Sequence, residues 1–151
     1  MEELSVYLGL AAVAFLAATI LPGSSEALLT ALFIQRPDEA AVLFLVATVG
    51  NTAGAALNWL LGRFLMRFAG RNWFPESAGS VERASAWFRK FGIWSLLFSW
   101  VPVIGDPLTF VAGFLRIRFL PFVVLVCVGK AARYAAIIGA VEAVRPWFSG
   151  A

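Results

Sequence analysis

Leu21-Pro22-Gly23-Ser24-Ser25-Glu26 and Trp100-Val101-Pro102-Val103-Ile104-Gly105-Asp106-Pro107 interrupt two long apolar tracts near their middles, at about 4–34 and 92–117. Proline followed by polar residues at mid-tract removes backbone hydrogen bonds, and lipid cannot replace them. Two further tracts, at about 40–66 and 119–145, run uninterrupted. A bilayer core of about 30 Å needs about 20 helical residues, so each uninterrupted tract fits one crossing. The first interrupted tract is too long for one crossing and too short for two. An interrupted tract can be a kinked spanning helix, or a re-entrant hairpin of two half-helices buried in protein.

Charge decides between these. If both interrupted tracts return to their starting side, one side holds Arg63, Arg67, Arg71, Arg83, Arg89, Lys90, Arg116 and Arg118. The other holds Arg36 and Arg145, together with Glu2, Glu3, Asp38 and Glu39. Eight basic residues against two is a strong positive-inside asymmetry, and it puts both termini on the outer side. If all four tracts crossed, Arg116 and Arg118 would move opposite the central loop and the bias would weaken.

Composition agrees with a membrane setting. Of 151 residues, 61% are apolar and 14% charged, against about 45–50% and about 25% in soluble domains. The absence of His excludes imidazole metal ligation, Ser-His triads and His general bases. A single cysteine, Cys127, forbids an intramolecular disulfide and a thiolate metal cluster. The expected cofactor and metal are therefore none. A net charge of +3 reads as membrane orientation and not as nucleic-acid binding. Met1-Glu2-Glu3 is acidic where a secretory signal would be basic, so the first apolar run is expected to be retained structure. With no linker or low-complexity tract, residues 1–151 read as a single membrane domain.

Between the two halves, residues 72–91 read as an interfacial segment, with a short solvated connector as the alternative. Val81, Ala84, Phe88 and Phe91 recur at helical spacing over 78–91, with Arg83, Arg89 and Lys90 elsewhere on the wheel and Trp73 and Trp87 suited to the headgroup level. The halves match one another. Pro22, Glu26 and Leu28 correspond to Pro102, Asp106 and Leu108, and Gly50-Asn51 to Gly129-Lys130. Proline to glycine is 28 residues in the first half and 27 in the second. The expected fold is all-α and integral to the membrane. It is an inverted repeat of two units, at about 4–66 and 92–145, each a re-entrant hairpin plus one transmembrane helix. The interfacial helix lies between the units, and the site at the midplane between them.

Ionisable residues inside a membrane cost at least about 2.5–3.5 kcal/mol each and are functional candidates by default. Glu26 sits in the first turn of a half-helix, and Asp106-Pro107 reads as an N-cap followed by the first helical residue. Either acid can serve only a positive helix end, or can bind and release protons. Lys130 and Arg133 lie three apart on one helical face. They can neutralise the two acids, or bind an anionic group such as phosphate, for which arginine supplies a planar fork. Asn51, Gly54 and Asn58 share a face of the second tract, where they either glue helices together or line a polar cavity. No nucleophile accompanies the acids, so no catalytic residue and no enzyme activity are expected.

These residues taken together resemble the DedA family (VTT or SNARE-associated domain), and within it the short YqaA-like bacterial branch. The resemblance is carried by Leu21-Pro22-Gly23-x-Ser25-Glu26, Ala47-Thr48-x-Gly50-Asn51-x-x-Gly54-x-x-x-Asn58-x-x-x-Gly62-Arg63, Ser99-Trp100-x-Pro102-Val103-x-Gly105-Asp106, Ala112-Gly113 and Gly129-Lys130-Ala131-x-Arg133-Tyr134. It covers nearly the whole chain. It implies two re-entrant hairpins, a bacterial inner-membrane location and membership among proposed lipid transporters, linked to undecaprenyl phosphate recycling, phospholipid movement and the proton gradient. Longer members flank the second-hairpin proline with two arginines, where Ser99 and Gly105 stand here, and carry an acid before the first break, where this chain has none.

The expected function is transport or flipping of a lipid or other anionic, phosphate-bearing headgroup through a midplane polar site, with proton coupling as one route. The expected partners are membrane lipid (polyprenyl phosphate or phospholipid) and protons, with no nucleic acid and with a homo-oligomer left open. The alternatives are a small-ion transporter and a non-transporting membrane-assembly protein. A cavity open sideways to lipid favours the first reading, and a closed narrow path favours ion transport. The charge asymmetry generates a direct test of topology. Cysteines placed at Glu2 and Ala151 should label from outside the cell and one at Ser80 should not; outside labelling at Ser80 would overturn the assignment.

Overall fold

The computed structural model describes residues 2–19, 23–65, 79–101 and 104–149, and among these the chain forms helices and turns with no strand. The helices are α1 (Glu2–Ala17), α2 (Ser24–Gln35), α3 (Ala40–Leu65), α4 (Gly79–Phe91), α5 (Gly105–Phe114) and α6 (Phe119–Ser149). A 3-10 turn at Pro37–Glu39 leads into α3, and a 3-10 segment, Gly92–Phe98, follows α4. Both uninterrupted tracts form helices long and apolar enough to cross a membrane, at Pro37–Phe64 and Phe119–Arg145.

The interrupted tracts are broken where the sequence places the breaks. At about 1.5 Å per residue, α1, α2 and α5 span about 24, 18 and 15 Å, each short of a bilayer core. Gly23, with φ 94°, turns the chain into α2 in a left-handed conformation that a side chain would strain. Pro22 and Pro102 lie outside the described residues.

Two local expectations are corrected. Asp106 is not the N-cap of α5: the helix begins at Gly105 with Ile104 at the cap and no side-chain cap bond. The reason lies in the backbone, since Val101 O already accepts from Gly105 N at 2.8 Å and Ile104 O from Leu108 N at 3.0 Å. Asp106 is thereby carried into the first turn, and Pro107 behind it. Nor is the segment before the second break an α-helical arm. It is a 3-10 run of seven residues, longer than such runs usually last. Gly92 enters it at φ 58°, and Ser95 Oγ donates to Gly92 O at 2.7 Å.

On α4, Phe88 is buried and Arg83, Arg89 and Lys90 are exposed. Phe91 is largely exposed instead of joining the buried stripe, but its ring still meets Trp87 and Phe98 at 5.7 and 6.5 Å. The side chains of Val81 and Ala84, and Trp73, lie outside the described residues.

Helix α3 is the axle of the fold. It packs on both α1 and α5, while α6 packs on α3, α2 and the 3-10 segment. Small residues make the α3–α5 crossing possible. A Cβ on Gly62 would collide with the Phe110 carbonyl, and one on Gly113 with the Trp59 carbonyl. Such contact between backbones is the usual way apolar helices associate where no hydrophobic force separates protein from lipid. At the crossing, the Trp59 ring packs at a tilt on Phe119 and Phe122, with centroids 5.1 and 5.9 Å away, and donates Nε1–H to Ile117 O at 3.2 Å.

Gly113→Ala should therefore lower stability by about 1–3 kcal/mol, since the neighbour it meets is backbone and cannot turn aside. Gly139→Ala, with nothing within 4 Å of the added carbon, should be neutral or raise stability by up to about 1 kcal/mol. Thermal unfolding of the purified variants in detergent separates the two; equal midpoints would mean that the crossing is not close-packed.

Candidate functional site

The two cations of α6 reach the two broken tracts. One turn of helix sets Lys130 and Arg133 on a common face, and each finds a different acid. Lys130 Nζ lies 3.5 Å from Asp106 Oδ1 in the first turn of α5. Arg133 forms an ion pair with Glu26 in the first turn of α2. Its Nη1 also donates to the carbonyl of Trp100 at 2.7 Å. That carbonyl lies in the second break, so Arg133 satisfies an acid from one break and a backbone group from the other. Lys130 is nearly fully buried, at 4% exposure, and the other three side chains are 20–29% exposed.

The four charges surround a cavity of about 10 Å³, with Asn51, Ser99 and Gly23 completing its wall. That is room for one water-sized group and no more. Two polar atoms of the wall, Asn51 Oδ1 and Ser99 Oγ, are buried with no hydrogen-bond partner among the described residues, as are Thr48 Oγ1 and Thr52 Oγ1 on α3. The cavity wall thus offers donors from Lys130, Arg133 and Ser99 and acceptors from Glu26, Asp106 and Asn51.

The asparagines of α3 divide between two tasks. Asn51 Nδ2 donates to Ala14 O at 2.9 Å and Asn58 Nδ2 to Ala18 O at 2.7 Å. These carbonyls belong to the last turn of α1 and to the residue after it, where a helix leaves acceptors without intrahelical donors. Phe15 O and Leu16 O accept from the backbone of Ala18 and Thr19. Asn58 thus ties α1 to α3 and is not among the residues lining the cavity, whereas Asn51 does both.

Of the residues singled out from sequence, the structure brings Glu26, Asp106, Lys130, Arg133, Asn51 and Gly23 to one place. Gly105 packs against the Ser99 backbone, and Pro107 continues α5. Sequence reasoning gave no site role to Ser25, Ser99, Trp100 or Tyr134. Tyr134 is buried in α6 and donates its hydroxyl to Ser25 Oγ at 2.9 Å, joining residues 109 apart beside the ion pair. All four stand in the spaced motifs, which was the available signal.

A second, larger hollow adjoins the first. A groove of about 480 Å³ runs along the outer face of α6 past Ala132, Ala136 and Ala140, with Trp100 beside it. Glu26 and Arg133 line both hollows, so their ion pair is the wall between the polar cavity and the groove.

Comparison with known proteins places this architecture. A model of the VTT domain family matches residues 21–143. The chain is 39% identical over 147 residues to the inner membrane protein YqaA of Escherichia coli (strain K12), covering 97% of this chain and 98% of that one. It is 33% identical over 132 residues to a protein of Haemophilus influenzae, covering 83% and 80%. Over 95 residues it is 28% identical to undecaprenyl phosphate transporter A of Staphylococcus aureus, covering 58% of this chain and 47% of that one. No solved structure matches.

The ion pair of Glu26 with Arg133 is testable by a double-mutant cycle. Arg133→Ala strands a carboxylate and a carbonyl and should cost about 3–5 kcal/mol. Adding Glu26→Gln should restore part of that loss, so that the double variant unfolds at higher temperature than Arg133→Ala alone. Additive losses would show the two residues to be uncoupled.

Proposed function

The chain belongs to the VTT domain family, and we propose that within it this membrane protein transports a phosphate-bearing lipid headgroup past the Glu26, Asp106, Lys130 and Arg133 cluster. The observation that carries the reading is the convergence of two cations and two carboxylates from three helices on one small cavity. Such paired charges neither raise stability much nor catalyse a reaction alone, but each cation can exchange its carboxylate for another anion. Arginine's fork suits phosphate, and lysine adds a second positive charge three residues away.

The cycle follows from the partners. At rest Arg133 is held by Glu26 and the Trp100 carbonyl, and Lys130 by Asp106. An arriving phosphate takes the guanidinium, and the released Glu26 takes up a proton, so the site stays near neutral. On departure the proton leaves and the ion pair re-forms. This couples movement of the headgroup to protons without any covalent step. The name of the Staphylococcus aureus relative supports a polyprenyl phosphate as the substrate class. The groove beside Arg133 supports a headgroup that remains attached to lipid over a bare ion.

The same reading assigns each half one re-entrant hairpin and one span, with the halves inverted and the basic side cytoplasmic. It draws support from the packing, in which α5 lies against the long helix of the other half, α3, and α2 lies against both long helices, α3 and α6. The breaks of the two halves then meet between the two spans, as in transporters built from inverted repeats.

Glu26→Gln and Arg133→Lys test the mechanism in vesicles carrying a labelled polyprenyl phosphate and an imposed proton gradient. Glu26→Gln should fold and insert yet lose gradient-driven transport, whereas a residue serving only the helix end would cost at most about 1 kcal/mol and leave transport intact. Arg133→Lys keeps the charge but loses the fork, and should weaken transport more than folded yield. Full transport by both variants would leave the charges as scaffold.

A further inference from the structure

The outer surface of α6 changes character at the level of the ion pair. Along one row of residues four apart, Leu120, Val124 and Val128 are 75, 52 and 54% exposed. The row then becomes Ala132, Ala136 and Ala140, all exposed, before bulk returns at Val144. Less than a third of the apolar stretch of α6 is covered by protein, so this face meets lipid. The three alanines floor the groove of about 480 Å³, within the usual size of a small-molecule site.

Small residues alone would equally suit a neighbouring helix. Two other observations point to a ligand. The groove ends on Glu26 and Arg133, the residues that also wall the polar cavity. Inside that cavity Asn51 Oδ1 and Ser99 Oγ, on residues 5 and 1% exposed, have no hydrogen-bond partner among the described residues. A second copy of the chain would bring an apolar helix, with nothing for the charged end of the groove or the unpartnered atoms beyond it. An amphiphile with an anionic head answers both.

We propose that the groove of Ala132, Ala136, Ala140 and Trp100 binds the hydrocarbon chain of the transported lipid, lodging it sideways from the bilayer while its phosphate displaces Glu26 from Arg133 and extends one oxygen, itself a water-sized group, towards Ser99 and Asn51. This rests on the reading of the site as one for phosphate-bearing lipid headgroups. The tail stays in an apolar setting throughout, and only the head crosses the wall formed by the ion pair. Ser99 O–H can donate to a phosphate oxygen. Asn51 Nδ2 is already engaged with Ala14 O, which leaves its Oδ1 to accept from a protonated phosphate.

The test compares binding of hexadecyl phosphate and inorganic phosphate to the purified protein in lipid nanodiscs. Ala136→Phe and Ala140→Phe fill the groove. They should weaken hexadecyl phosphate by about tenfold or more, because the added ring takes the space in which the chain would pack, and leave inorganic phosphate unaffected. Val128→Phe, in the same row but outside the groove, should change neither. In the wild-type protein, which needs no substitution, a hexadecyl phosphate with a photoreactive group in its chain should label the Ala132–Ala140 stretch. If Arg133→Lys weakens hexadecyl phosphate but the groove-filling variants do not, or if the label falls elsewhere, the tail site is wrong and the headgroup reading survives. If Arg133→Lys leaves binding unchanged as well, the headgroup reading fails first. Conversion of a dimer to a monomer by Ala136→Phe would give the groove to a second copy and overturn the proposal.

Discussion

Two carboxylates and two cations held among apolar helices must find each other, because an unpaired charge there costs several kilocalories per mole and no water shell is at hand to replace a partner. Much of the arrangement follows from that requirement. Helix α6 has to run close enough to the first turns of α2 and α5 for Lys130 and Arg133 to reach both acids. The tracts have to break near the same place, because only a break puts a first turn there. The Trp100 carbonyl then has a donor in the same arginine that holds Glu26.

Bringing those groups together demands close approach elsewhere. Gly62 and Gly113 let α3 and α5 touch backbone to backbone, and Gly50 does the same for α3 and α1, where an added Cβ would lie 2.6 Å from Ala11 O. Asn51 and Asn58 add directed hydrogen bonds to the α1 contact. One long helix thus grips the partners on either side of the polar centre by removing side chains in some places and supplying amides in others. The two devices are complementary: bare backbone lets the helices approach, and the amides fix where along α1 they stop.

Much of this was legible in the chain. The uninterrupted tracts had the length of a crossing, the breaks carried proline with polar residues, and the four charges stood out because apolar surroundings make any charge conspicuous. Which acid meets which cation was not legible, since sequence spacing says nothing about how α6 is rotated against α2 and α5. The capping role read into Asp106 failed because local signals compete. Asp-Pro is a common helix start, yet Val101 O was already placed to begin the helical ladder at Gly105. Ala132, Ala136 and Ala140 escaped notice for a different reason: in a lipid-facing helix, alanine looks like filler until a hollow shows what its smallness leaves room for. Ser99 and Tyr134 sat in the motifs, but a hydroxyl gains meaning only from its neighbours in space.

The contact between Ser25 and Tyr134 joins residues 109 apart, and the Glu26–Arg133 pair next to it spans almost as much of the chain. Ribosomes make proteins from the N-terminus, so α2 is made with its carboxylate long before the arginine that pairs with it. Until α6 is synthesised, the first half cannot settle into its final form. The arrival of the last helix supplies the partners of Glu26 and Ser25 and completes the bundle.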